Sequence, residues 1–234
     1  MTDGPVKFER EGDVAVVTMD DGKANALSYA MMDALDAAMD RAEREASSVV
    51  LAGRPGRFCA GFDLREMASG LDRARALVSR GAGLLMRLYE LPLPLVIACT
   101  GHALAGGALL VLTGDVRYGV RGEFKLGLNE VQIGMPVPVL AMELARDRLD
   151  HRHLAEATLF GQTVPPEEAL AWGYLDRLVA PDELRASALG DAARLGAISR
   201  EAYRRTKSAL RERTIRYVRE TLAEDMQRLS PPQG

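Results

Sequence analysis

Residues 95–119 read LVIACTGHALAGGALLVLTGDVRYG. Leu95–Cys99 is an unbroken apolar run of the kind that forms a buried strand. Small residues follow, and Gly106–Thr113 reads as the first turns of an apolar helix. Val116–Gly119 reads as the next strand. The same alternation extends towards the N-terminus. Leu71–Leu91 places Leu77, Leu84, Leu88 and Leu91 on one side of a helix that Pro92 and Pro94 end. Arg54–Gly61 holds one proline and two glycines and reads as a loop. Ser48–Leu51 is a short strand. Ser28–Glu45 is helical, with Met32, Leu35, Met39 and Ala42 spaced by three and four and Ser28 as its N-cap. Val6–Glu9 and Val14–Met19 are strands around the turn Glu11-Gly12-Asp13. From Val14 to Gly119 the chain therefore predicts an α/β class of stacked units with a parallel sheet.

Beyond Gly119 the pattern turns helical. Pro138–Arg146 and His151–Leu159 read as helices, and Pro165-Pro166 opens another through Trp172. Asp182 is a candidate cap for a further one. Ser199–Leu229 is a long helical stretch, in one piece or broken, with Tyr203, Leu210, Tyr217, Leu222, Met226 and Leu229 along one side, and Pro231-Pro232 beyond its end. A boundary near Pro181 separates a sheet-based core, residues 1–180, from a helical tail, 181–234.

Composition bounds the function. Of 234 residues, 47% are apolar and 27% charged, the balance of a folded globular enzyme. A formal net charge of −3 argues against a generally basic nucleic-acid binder. The first ten residues carry no apolar run and predict no secretory signal. No stretch approaches the roughly 20 apolar residues of a membrane span. Cys59 and Cys99 are the only cysteines, and with three histidines they make no metal-ligand pattern. Two unclustered thiols suit a reducing cytoplasm.

Three segments carry chemistry. Arg57-Phe58-Cys59-Ala60-Gly61-Phe62-Asp63-Leu64 follows a strand, and its small residues allow a ligand close to the backbone. Gly101-His102-Ala103-Leu104-Ala105-Gly106-Gly107 opens a helix whose N-terminus offers free N–H groups to a developing anion. Gly127-Leu128-Asn129-Glu130 sets a carboxylate among apolar neighbours. Each alone also fits a plainer role: a tight turn, close helix–strand packing, a surface acid. The glycines lack the spacing of a dinucleotide-binding fingerprint.

Together, in this order, the segments resemble the crotonase (enoyl-CoA hydratase/isomerase) superfamily over nearly the whole chain. Phe58–Leu64 is similar to that family's F-[CS]-A-G-x-D-L loop, Lys23–Leu27 to its K-x-N-A-L segment, and Gly101–Gly107 to its second glycine turn. Leu170–Val179 resembles its A-x-x-x-G-[LI]-V-D-x-[VL] segment through Gly173, Asp176 and Val179. The resemblance implies a ClpP-like spiral of ββα units with a C-terminal helical region. It implies an oxyanion hole from the N–H groups of Ala60 and Gly106, with Ala24, Ala60, Gly61, Phe62, Asp63 and Leu64 along coenzyme A. It implies a homotrimer or hexamer, an acyl-CoA thioester as partner, and no cofactor beyond coenzyme A carried by the substrate. Arg57 and tail residues such as Lys207 fit a solvated face better than phosphate contacts, and His102 fits packing better than catalysis. His151 and His153 read as surface residues. Cys59 is not proposed as a nucleophile.

Hydratases of the family use two glutamates, one falling at Leu109 and one at Glu130. Leucine can neither activate water nor carry a proton, whereas hydration needs an acid and a base around the double bond. Ala105-Gly106-Gly107-Ala108-Leu109 and Gly127–Glu130 instead resemble the mitochondrial-type Δ3,Δ2-enoyl-CoA isomerases. In that subgroup one glutamate moves a proton from C2 to C4, and the resemblance implies that role for Glu130. Leu109 and Asn129 would line the substrate, Asn129 either placing Glu130 or favouring a turn. The competing expectations are a hydratase, another crotonase-type lyase or hydrolase, and a non-catalytic acyl-CoA or RNA binding protein.

Overall fold

The structure, a computed structural model, describes residues 4–229. Six strands form one sheet: β1 (Val6–Glu11), β2 (Val14–Met19), β3 (Ser48–Ala52), β5 (Leu95–Cys99), β7 (Val116–Val120) and β9 (Arg177–Val179), in the order β1-β2-β3-β5-β7-β9. Only the β1–β2 hairpin is antiparallel; the other neighbours pair in parallel. The two-residue side-chain period sorts these strands cleanly. Val17, Val49, Leu51, Leu95 and Ile97 enter the main core, whereas Val16, Val50, Val96, Ala98 and Tyr118 face the other way. That second face is covered by Leu184, Ala188 and Ala192 of α7 (Leu184–Gly196).

Helix α1 (Tyr29–Glu45) forms as the spacing predicts, with the Ser28 hydroxyl accepting from the Met31 N–H at 3.2 Å. Helix α3 (Leu71–Glu90) stops short of the prolines. Its Arg80 and Arg87 pair with Asp36 of α1 at 2.5 and 2.8 Å.

Two expected loops are strands. Arg54–Gly61 contains β4 (Gly56–Cys59), and the glycine turn contains β6 (Gly101–Leu104). With β8 (Leu126–Gly127) they form a second, parallel sheet in the order β4-β6-β8. The glycines that mimic a loop signal serve close strand approach. A Cβ on Gly101 would lie 2.2 Å from the Gly56 carbonyl carbon. The chain thus repeats one unit: a strand in the large sheet, a strand in the small sheet, then helix. β3 and β4 lead to α2 (Leu64–Ala68) and α3. β5 and β6 lead to α4 (Gly106–Leu112). β7 and β8 lead to α5 (Val139–Arg148).

The C-terminal part departs from expectation in several places. His151–Leu159 is not one α-helix but a 3-10 turn (His151–His153) followed by a π-helical turn (Ala155–Leu159). Helix α6 (Pro166–Trp172) ends at Gly173 in the left-handed region, φ 86°. Asp182 caps nothing, because α7 begins only at Leu184 with Glu183 at its N-cap. Helix α8 (Arg200–Arg228) is unbroken over 29 residues. Its inward side matches the predicted apolar stripe only towards the C-terminus, where Leu222, Met226 and Leu229 pack on the core. Leu210 and Tyr217 are 78% and 47% exposed, while Lys207, Arg211, Thr214, Ile215, Val218 and Met226 are buried. The reason is Asp115. Its two oxygens each take one cation of α8, Lys207 Nζ and Arg211 Nη2, both at 2.8 Å. Paired charges override the hydrophobic pattern, so Lys207 is neither solvated nor available to phosphate. No helix among the described residues is long and apolar enough to cross a membrane.

Candidate active site

Strands β4, β6 and β8 end at one edge of the small sheet, which brings the three segments together. Glycine is required at the meeting points. A Cβ on Gly107 would sit 2.0 Å from the Cys59 carbonyl oxygen, and one on Gly61 would sit 3.0 Å from Leu104 O and 3.4 Å from Gly106 N. Between β6 and α4, Ala105 has φ 47° and ψ −120°, a costly backbone for alanine of the kind that clusters at functional sites. Its N–H donates to Gly127 O at 2.9 Å, tying β8 to the start of α4.

The Lys23–Leu27 segment is fixed by Asn25, a residue to which the sequence alone gives no role. Asn25 is fully buried with φ 52°, and its amide donates to Met19 O, Arg57 O and Phe58 O at 3.0, 3.0 and 3.2 Å. Its sequence signal was a lone asparagine between small apolar residues, a pattern too common to stand out.

The expected oxyanion donors differ. The Gly106 N–H, at the first position of α4, has no acceptor among the described residues. The Ala60 N–H donates to Ala24 O at 3.0 Å. It can serve an oxyanion only by sharing or giving up that bond. Asp63 accepts from the Arg65 N–H at 2.8 Å and caps α2.

A cavity of about 600 Å³ opens beside these turns, within the ordinary range for a small-molecule site. Among predicted residues it gathers Ala60, Phe62, Leu64, Leu109, Asn129 and Glu130. Its remaining wall is Met67, Val78, Leu104, Ala105, Gln132, Ile133, Met135, Pro138, Leu140 and Leu229. Ala24, Gly61, Asp63 and Gly106 stand outside that lining, as supports or neighbours of the turns. Leu64 lies at the rim, 68% exposed. Phe62 is wedged inward: a Cβ on Gly81 of α3 would lie 2.2 Å from its ring.

Among the described residues, Glu130 is the only ionisable side chain in the lining. It is 6% exposed and its Oε2 has no hydrogen-bond partner among the described residues. Burial pushes its carboxyl up to about 7, opposed only by its own backbone N–H. Asn129 Oδ1 is also buried without a partner. Leu109, on α4, is 2% exposed and lines the same cavity.

Tyr174 was passed over in the sequence. It is fully buried, and its hydroxyl has no hydrogen-bond partner. Burial raises its pKa, the Leu128 backbone works against this, and the charge of Glu130 raises it further. The available signal was an aromatic residue where the family segment has leucine or isoleucine.

The other singled-out residues have quieter roles. Burial pushes the Cys59 thiol up to about 12, which removes it as a nucleophile. His102 Nδ1 accepts from the Lys125 N–H at 3.1 Å and its ring meets Phe124 edge-on, as a packing role requires. His151 is exposed, but His153 is partly buried and stacks on Trp172 at 5.0 Å between centroids.

The family described as enoyl-CoA hydratase/isomerase matches residues 9–233. This chain belongs to that family. It is 32% identical over 206 residues to human mitochondrial enoyl-CoA delta isomerase 1, covering 86% of this chain and 68% of that protein. It is 30% identical over 222 residues to a probable enoyl-CoA hydratase of Rhizobium meliloti, covering 93% and 84%. A solved enoyl-CoA hydratase/isomerase family protein from Pseudomonas syringae superposes with a TM-score of 0.94 at 38% identity, covering 97% of this chain and 98% of that one. The two sheets and the repeating strand–strand–helix unit are therefore the crotonase fold.

Proposed function

We propose that this enoyl-CoA hydratase/isomerase family member is a Δ3,Δ2-enoyl-CoA isomerase with Glu130 as its single base. The observation that carries the reading is the cavity lining: one carboxylate, raised to about 7, with leucine at the position where a hydratase needs its second glutamate. Ionised Glu130 takes a proton from C2 of a 3-enoyl-CoA. The electron pair moves into the thioester to give a dienolate, with the oxygen held by the Gly106 N–H, which has no acceptor among the described residues. The same carboxyl returns the proton at C4, leaving the double bond at C2–C3. One donor of this kind is worth about 3–4 kcal/mol in the transition state, and a positioned base adds roughly 10²–10⁴-fold. Burying a carboxylate raises its basicity towards the working pH, and apolar walls keep water from the intermediate. Coenzyme A enters with the substrate, and the chemistry proposed uses no other cofactor.

The similarity to a hydratase of Rhizobium meliloti keeps hydration as the rival. Incubation with 3-enoyl-CoA and 2-enoyl-CoA separates the two: rapid isomerisation of the first with little water addition to the second supports the proposal. Hydration as fast as isomerisation would sink it. The assembly proposed is a trimer or hexamer using the exposed side of α8, where Leu210 stands 78% exposed. Light scattering should return three or six times the monomer mass. The site of action proposed is the cytoplasm, with both cysteines buried and free.

A further inference from the structure

The last turn of α8 is fastened to both walls of the cavity. From the α3 side, Arg75 donates to Gln227 O at 2.9 Å. From the α5 side, the Val139 N–H donates to Asp225 Oδ2 at 2.8 Å. Val78 of α3 and Leu140 of α5 line the cavity on those same two sides. The next residue beyond the helix, Leu229, is 4% exposed and completes the wall between them. A second cavity of about 250 Å³ lies against the end of α8, lined by Pro136, Val139, Asp225 and Arg228 among others. Leu229 and Pro138 are the residues that line both cavities.

We propose that Leu229 is the specificity-determining residue that sets acyl-chain length, acting as the partition between the main cavity and this neighbouring one. The inference rests on the reading that the main cavity holds the acyl group of an acyl-CoA. Polar groups are nearly absent from the wall, so an aliphatic chain gains by burial all the way to Leu229. A chain long enough to meet the leucine stops gaining. Proline at 138 has no free rotor to move aside, whereas the leucine side chain is the removable half of the wall. Truncating it to alanine joins the two spaces and lets further methylenes be buried. Enlarging it to tryptophan closes the main cavity earlier.

The test is a series of straight-chain 3-enoyl-CoA thioesters of six to sixteen carbons, with kcat/KM measured for wild type, Leu229→Ala and Leu229→Trp. Each methylene newly buried is worth about fourfold. Leu229→Ala should therefore raise the ratio of the longest substrate to the wild-type optimum by roughly tenfold or more, and Leu229→Trp should lower it by a similar factor. Opposite displacements of the optimum support the partition. Chain-length profiles that superimpose on the wild-type profile in both variants overturn it, while leaving the acyl-CoA reading intact. A wild-type enzyme that binds no thioester of the series overturns both.

Discussion

Two carboxylates largely withdrawn from solvent, Asp115 and Glu130, meet opposite fates in this fold. Asp115 accepts from the Leu95 N–H at 2.7 Å and is bracketed by Lys207 and Arg211 at 2.8 Å. Burial works to raise its pKa, but the two cations outweigh burial and hold it below the usual carboxylate range. Glu130 is 6% exposed with one oxygen unpartnered among the described residues, and burial pushes it up to about 7. The first carboxylate is fully paired and fixes α8 on the core. The second is left unpaired, which costs stability and leaves a base able to take a proton. Pairing, rather than burial, separates the structural acid from the proposed base.

The largest effect that could break this contrast is on turnover. Glu130→Gln keeps the shape and removes the base, and isomerase activity should fall by roughly 10²–10⁴-fold. Unchanged turnover of a 3-enoyl-CoA by this variant would place the base elsewhere. Removing the other acid should do the reverse. Asp115→Ala leaves Lys207 and Arg211 uncompensated and should cost about 3–5 kcal/mol in urea unfolding at neutral pH. The pH dependence of whatever activity remains should be unaltered.

The stability of Glu130→Gln sharpens the comparison next. Because the folded pKa of Glu130 is raised, the folded state holds its proton longer than the unfolded chain does. Below about pH 4.5 both states are protonated and no cost appears. As pH rises from there to about 7, the cost of an unpaired buried charge grows to about 3 kcal/mol. The variant lacks this loss, so its melting temperature relative to wild type should climb between pH 4.5 and 7 and then level off. Equal melting curves at pH 5 and pH 8 would show that Glu130 is paired in solution.

The smallest effect expected is at Tyr174. Tyr174→Phe removes the unpartnered hydroxyl behind Glu130 without changing the packed ring, and should move the pH dependence of kcat/KM by less than about one unit. A larger displacement would mean that the hydroxyl bonds the carboxylate directly.

Much of the fold was legible in the sequence. Strand β5 and helices α1 and α3 form where continuous runs or three-and-four spacing placed them, because each buries a long apolar surface. The small sheet was not legible. Strand β6 has four residues and β8 two, and the glycines that let β4 and β6 approach also signal loops. The inward side of α8 was legible at Leu222, Met226 and Leu229 but not in its first half, where Lys207 and Arg211 are buried by a distant aspartate. The candidate site was legible only through family resemblance. Spacing alone made Glu130 an ordinary acid, and nothing local marked Ala24 O as the acceptor for the Ala60 N–H. Tyr174, whose hydroxyl feels the charge of Glu130, comes from a segment whose sequence spoke only of a turn after α6.

The most direct test of the unpaired base is the pH dependence of kcat/KM for 3-enoyl-CoA isomerisation, which reports the free enzyme. A single rise through about pH 7 to a plateau, absent in Glu130→Gln, is the result expected from the pKa of the buried carboxyl. A rise centred near the ordinary carboxylate value, or a rate independent of pH across this range, would contradict it.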